Sequence, residues 1–115
     1  MAIVKGQLGA VDVPGTGVLT DIYTVPVSKE ADVNITVANR SDTNTNIRIA
    51  HIKNGVASNV SNEDYILYDL STSSLASNFA PIPRDAVLMS AGDTIAVYSS
   101  ASAVSVQVNG IEGDS

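Results

Sequence analysis

The residues of this chain that could carry chemistry are few: one histidine, a short acidic run and a handful of tyrosines. His51 is the only histidine, so a multi-histidine metal site is impossible. Its parity with Ile47 and Ile49 places it on the inner face of a strand, near the strand's end. A general base needs a nucleophile or an orienting carboxylate at defined geometry, and the sequence names neither. His51 therefore reads as a partly buried, hydrogen-bonded structural residue. None of the many serines sits in a Gly-x-Ser-x-Gly elbow. Asn62-Glu63-Asp64 is the densest acidic cluster, but it lacks the spaced oxygen ligands of a calcium loop and reads as solvated loop. The other carboxylates fall at outward or turn positions, which leaves no glycosidase-like pair. No catalytic, cofactor-binding or metal-ligating residue is assigned, and no enzyme activity is expected.

Sugar binding is the more serious alternative, because small β-sandwiches often stack sugar rings on exposed aromatics. The aromatics are Tyr23, Tyr65, Tyr68, Phe79 and Tyr98. Tyr65 and Tyr68 have opposite strand parity, so one of them is expected to face outward. A single exposed tyrosine is a weak platform, and packing is the expected use. Gly92-Asp93 and Asn109-Gly110 read as turn chemistry, because no helix follows them to make a phosphate loop.

The elements that must position these residues are strands. Val33, Ile35 and Val37 alternate with Asp32, Asn34 and Thr36, the period of a half-buried strand. The same pattern recurs from Thr45 to Lys53 and in the strands around Ile95 and Val104 within Arg84 to Glu112, a segment of three strands separated by two tight turns. Thr20 to Val27 also reads as a strand, with Pro26 near its end, and Tyr65 to Leu70 as a strand of large residues. Asn54-Gly55 marks a turn, with polar loop following to Asp64. Ser71 to Pro83 reads as a serine-rich connection crossing between sheets, and any helix would be a single turn within Ser71 to Phe79. About eight short strands predict an all-β fold, an antiparallel β-sandwich with Greek-key or jelly-roll connections. Residues 1–18 read as an extended N-terminal segment holding one loosely specified strand, and residues 19–115 as the sandwich. Interfaces, if present, are expected in the segments not claimed by strand pairing: the N-terminal segment, the loop Lys53 to Asp64 and the connection Ser71 to Pro83.

Composition narrows the partners. The chain has 115 residues, which suits one domain with one core. Only 16% of residues are charged, and the net charge is −6 with six scattered basic residues. A phosphate-binding surface needs clustered Lys and Arg, so nucleic acid is not expected. No apolar run approaches the ~20 residues of a membrane span, and the N-terminus lacks the pattern of a signal peptide. The absence of cysteine excludes disulfides and fits synthesis in a reducing cytoplasm.

Several segments occur in an order that carries a resemblance: Asp21-Ile-Tyr-Thr-Val-Pro, Ala31-Asp-Val-Asn-Ile-Thr-Val-Ala-Asn-Arg, Asn46-Ile-Arg-Ile-Ala, Tyr65-Ile-Leu-Tyr-Asp, Ser90-Ala-Gly-Asp-Thr-Ile-Ala-Val-Tyr-Ser-Ser and Val104-Ser-Val-Gln-Val-Asn-Gly-Ile-Glu. Together they resemble small virion structural proteins of tailed bacteriophages, over residues 19–112. The resemblance implies a β-sandwich displayed in many copies on the virion, made in the host cytoplasm and carrying no cofactor. It implies a head decoration (cement) protein that binds the major capsid protein as a homo-oligomer, with a trimer favoured. The alternative is an accessory protein of the tail, baseplate or fibre, including a host-glycan-binding adsorption module.

Overall fold

The computed structural model describes residues 4–13, 19–40, 44–72, 76–79, 87–100 and 104–114. These residues form nine strands: β1 (Val4–Val13), β2 (Thr20–Thr24), β3 (Lys29–Asn39), β4 (Thr45–Ile52), β5 (Tyr65–Thr72), β6 (Ala76–Phe79), β7 (Val87–Met89), β8 (Thr94–Ser99) and β9 (Val104–Asp114). One sheet runs β1-β9-β3, with β6 and β7 in tandem along the far edge of β3. The other runs β2-β8-β4-β5. Every pairing is antiparallel.

If β6 and β7 count as one lane, the first lane pairs with the last, the second with the next to last, and so inward to β4 and β5. The chain is thus one long hairpin rolled onto itself, which is the jelly-roll order. The expected sandwich is present, with nine strands in eight lanes.

Alternation explains where the core sits. On β3, Val33, Ile35 and Val37 point inward and are buried, and on β9 so are Val104, Val106 and Val108. They meet Ile47, Ile49, Ile95 and Val97 of the opposite sheet in one cluster. Each such side chain contributes roughly 1.5–3 kcal/mol relative to exposure. Branched aliphatic side chains suffice because the two sheets lie close together.

Several expectations change. The three closing strands are not successive hairpins of one sheet, because β7 pairs with β3, β8 with β2 and β4, and β9 with β1 and β3. Their turns are arches from one sheet to the other. Asn109-Gly110 is no turn but lies inside β9. Gly110 sits opposite Val33 on β3, where an added Cβ would overlap the Asp32 carbonyl oxygen and press on Val33 Cα. Close approach of two backbones, rather than chain reversal, requires the glycine.

The segment read as a connection with an optional helical turn carries the end of β5 and all of β6, and the rest of 71–83 lies outside the described residues. The described helical turns are 3₁₀ and fall instead at Ala57–Asn59 and Asn62–Asp64. Val4–Val13 is a full edge strand along β9, with a register shift between Gln7 and Gly9. Within the N-terminal segment, residues 4–13 therefore belong to the larger sheet.

Candidate functional site

His51 lies on β4 beside the β7–β8 arch. Its Nε2–H donates to Asp93 Oδ2 at 2.9 Å, an assignment that follows because a carboxylate only accepts. Asp93 is buried at 2% exposure. Its Oδ2 also accepts the Ser90 backbone N–H at 3.0 Å, and its Oδ1 accepts the Asn54 N–H at 3.0 Å. The backbone of the arch adds further bonds, with Val25 N–H donating to the Asp93 carbonyl and Gly92 N–H to the Val25 carbonyl, both at 2.9 Å. Gly92 holds φ at +86°, and a Cβ there would stand 2.6 Å from Asn54 Oδ1. One carboxylate thus joins the arch, the turn after β4 and the histidine. Burial pushes the Asp93 pKa up, but the hydrogen bonds from His51, Ser90 and Asn54 outweigh it and hold the carboxyl below its ordinary value.

That arrangement is an imidazole–carboxylate pair in which the same carboxylate also accepts two backbone N–H groups. The geometry stabilises a turn junction. Asp64, of the acidic run, accepts the Ser61 N–H at 2.8 Å and closes its own 3₁₀ turn. Among the described residues no group of three or more His, Cys, Asp or Glu side chains converges as a metal site.

The loop that precedes it is not simply solvated. Ala57 and Val60 pack with Leu19 and Tyr65 on Ala50, Ile52 and Ala96, forming a second, smaller apolar cluster outside the smaller sheet. Asp21 on β2 pins this loop by accepting the Ala57 N–H at 2.8 Å. The tip of the rolled hairpin therefore folds back over one end of the outer face.

Beyond this cluster the face carries Tyr68 and Tyr98, with Tyr65 reaching both parts. Ile49 pairs with Leu67 and Ala50 with Tyr65, while Ile47 pairs with Leu70, so β5 holds two register shifts. Asp69 marks the second with φ of +53°. Each bulge adds a residue to the strand and reverses its alternation. Ile66 and Leu67 consequently both pack against the main core. Tyr65 and Tyr68, despite opposite parity, both reach the outer face and meet edge to face at 5.0 Å and 87°.

Arg48, between two inward isoleucines, projects outward there. Its guanidinium lies 4.2 Å from the Tyr68 ring centroid and 4.5 Å from that of Tyr98. Asp69 accepts from Arg48 Nε at 2.6 Å and from Nη2 at 3.2 Å. This fork fixes the guanidinium plane, and the hydrogen bond from Arg48 holds the Asp69 carboxyl below its usual range. Tyr68 remains 58% exposed.

The sequence pointed to Tyr65 and Tyr68 but missed Arg48, Asp69 and Tyr98 as their companions. A usable signal was present in Arg48, a cation at outward parity between Ile47 and Ile49. Its pairing with Tyr98 on β8 depends on a register that sequence alone does not display.

The larger sheet has a different outer face. Asp32 on β3 is flanked by Leu88 of β7 and Ile111 of β9, and Lys5 of β1 lies beyond Ile111. Leu88 is 72% exposed and Ile111 50%. They line an open groove of about 820 Å³ whose acidic members include Glu30 and Asp32. Lys29 is engaged with Asp114 at its end. Comparison with family models, with curated proteins and with solved structures found no match to this chain.

Proposed function

We propose that this chain is a non-enzymatic structural protein of a bacteriophage virion, a head decoration protein that binds and stabilises the capsid shell. The observation that carries the reading is the row Lys5–Ile111–Asp32–Leu88 across the outer face of the larger sheet. Two large aliphatic side chains stand exposed beside carboxylates and a terminal cation. Exposed aliphatic side chains interleaved with charged ones have the composition of a protein-contact surface. The occupant on this reading is the major capsid protein, and the residues that resemble phage virion proteins supply its identity.

Several polar groups elsewhere hold strands and turns together. Tyr23 Oη–H donates to Glu112 at 2.5 Å across the sandwich, Arg40 binds Asp12 and Ser105, and Asp93 binds three donors. A scaffold tied in this way suits a part displayed in many copies, where weak contacts add through multivalency. A trimer about a local three-fold axis would present three such faces together.

The test is addition of purified protein to undecorated shells at native salt. Binding should saturate at stoichiometric occupancy and raise the shells' resistance to heat or chaotrope. The double variant Leu88→Thr with Ile111→Thr should lose binding and stay close to the parent's thermal midpoint, because both side chains are exposed and threonine suits a strand without adding charge beside Asp32. Failure of the parent protein to bind, or undiminished binding by the double variant, overturns the reading.

A further inference from the structure

We propose that the open end of the smaller sheet's outer face is a binding site for a neutral carbohydrate, with Tyr68 as the stacking platform and Asp69 and Arg48 as its hydrogen-bonding flank. The inference does not depend on a role in the capsid shell.

The cluster is pre-organised. Tyr68 is held by Arg48 stacked at 4.2 Å and by Tyr65 at 5.0 Å, and Arg48 is itself fixed by Asp69 and by Tyr98. Holding an aromatic platform before the ligand arrives removes much of the ordering cost of binding. The loop over Ala50, Ile52 and Ala96 closes the face on one side and leaves Tyr68 at the edge of the open part.

The chemistry selects the ligand class. A pyranose offers an apolar C–H face and, at its rim, hydroxyls that both donate and accept. Tyr68, more than half exposed, supplies ring surface for the first. Asp69 has two oxygens with about four acceptor sites in all, and Arg48 has five N–H donors. The fork between them uses two donors and one site on each oxygen, so capacity for hydroxyls remains on both residues.

The alternatives fit less well. Arg48 and Asp69 cancel in charge, so the cluster has no excess cation for a phosphate or a sulfate. The chain's net charge of −6 opposes acidic ligands generally. An apolar peptide would want aliphatic pockets, whereas this cluster is three tyrosine rings and a guanidinium.

The experiment screens the full chain against neutral oligosaccharides of glucose, galactose, mannose and N-acetylglucosamine. Sialylated and sulfated glycans serve as the acidic arm. The chain has no tryptophan and four tyrosines, so tyrosine emission reports occupancy directly, with calorimetry for affinity. The parent protein should bind at least one neutral oligosaccharide. Tyr68→Ala should weaken that binding by about tenfold or more, equivalent to ~1.4 kcal/mol, while Tyr68→Phe keeps the ring and stays close to the parent. Asp69→Asn should weaken it less than Tyr68→Ala. Unchanged thermal midpoints would exclude unfolding as the cause. No binding to any neutral member, undiminished binding by Tyr68→Ala, or preference for the acidic arm overturns the proposal.

Discussion

The Asp93 junction gives the sharpest test of how this fold is held together. Truncation in Asp93→Ala removes one acceptor group and strands three donors: the Ser90 N–H, the Asn54 N–H and His51 Nε2–H. An unsatisfied buried donor costs about 1–3 kcal/mol. Water can reach part of this junction, since the His51 side chain is 18% exposed, so the lower half of that range applies to each. Three donors then give a loss of roughly 3–6 kcal/mol, a large share of the ~5–15 kcal/mol that stabilises an ordinary domain. The thermal midpoint should fall by about 15 °C or more. Asp93→Asn keeps one acceptor oxygen and turns the other position into a donor facing a donor, so its cost should be intermediate. His51→Ala removes one partner and leaves Asp93 its two backbone bonds, and it should cost least.

The pH dependence has a definite sign. Asp93 is held below its ordinary value in the folded state, so its contribution is fully present above the unfolded carboxyl value of about 4. It is lost as pH falls through the lower folded value. Urea unfolding at neutral pH and at a series of acidic pH values measures both effects. The parent should lose stability more steeply below about pH 4 than Asp93→Asn does. The reasoning fails if Asp93→Ala is no less stable than His51→Ala, or if the two acid limbs coincide.

Gly110→Ala should be among the most damaging small substitutions in the chain, because the new Cβ overlaps the Asp32 carbonyl oxygen in the middle of the β3–β9 pair. A loss at or beyond the upper end of the ~1–3 kcal/mol typical of overpacking is expected in urea unfolding; a neutral effect would mean the strands stand further apart than described. Tyr23→Phe removes a hydrogen bond to the Glu112 carboxylate, and loss of a bond to a charged acceptor should cost about 1.5–3 kcal/mol. Burial and the same contact hold the Tyr23 phenol well above its ordinary value, so ultraviolet titration of the parent should show a high-pH tyrosine step that Tyr23→Phe lacks.

The fold was legible wherever period-2 alternation was unbroken. Val33, Ile35 and Val37 announced β3, and Val104, Val106 and Val108 announced β9, because an inward branched residue at every second position has no other common use. Sheet membership was less legible. Ser90-Ala-Gly-Asp has the composition of a hairpin turn, yet Asp93 turns it into an arch by binding the backbone of a segment 39 positions away in sequence. Asn109-Gly110 failed for a related reason, since a glycine needed for close backbone approach looks the same as one needed for reversal. The site was obscured by bulges. Parity assigns Tyr65 and Tyr68 to opposite faces until the one residue inserted in β5 between Tyr65 and Leu67 brings them together, and no local composition marks that insertion.

The two outer faces differ in chemistry because the rolled hairpin loads them differently. The smaller sheet receives the hairpin's tip, which covers one end and leaves tyrosines and a neutral ion pair at the other. The larger sheet receives the short tandem strands β6 and β7 at its edge, where Leu88 stands exposed next to Asp32. A core of close-packed branched residues separates the faces by the thickness of the sandwich, about 10 Å between sheets. Substitutions that far apart with no shared partner should act independently. On the proposed reading, Tyr68→Ala should therefore weaken oligosaccharide binding and leave shell binding intact, and Leu88→Thr with Ile111→Thr should do the reverse. Loss of both activities in either variant would show that the faces are coupled or that the sandwich has been damaged. The thermal midpoint distinguishes these outcomes, because coupling leaves it in place and damage lowers it.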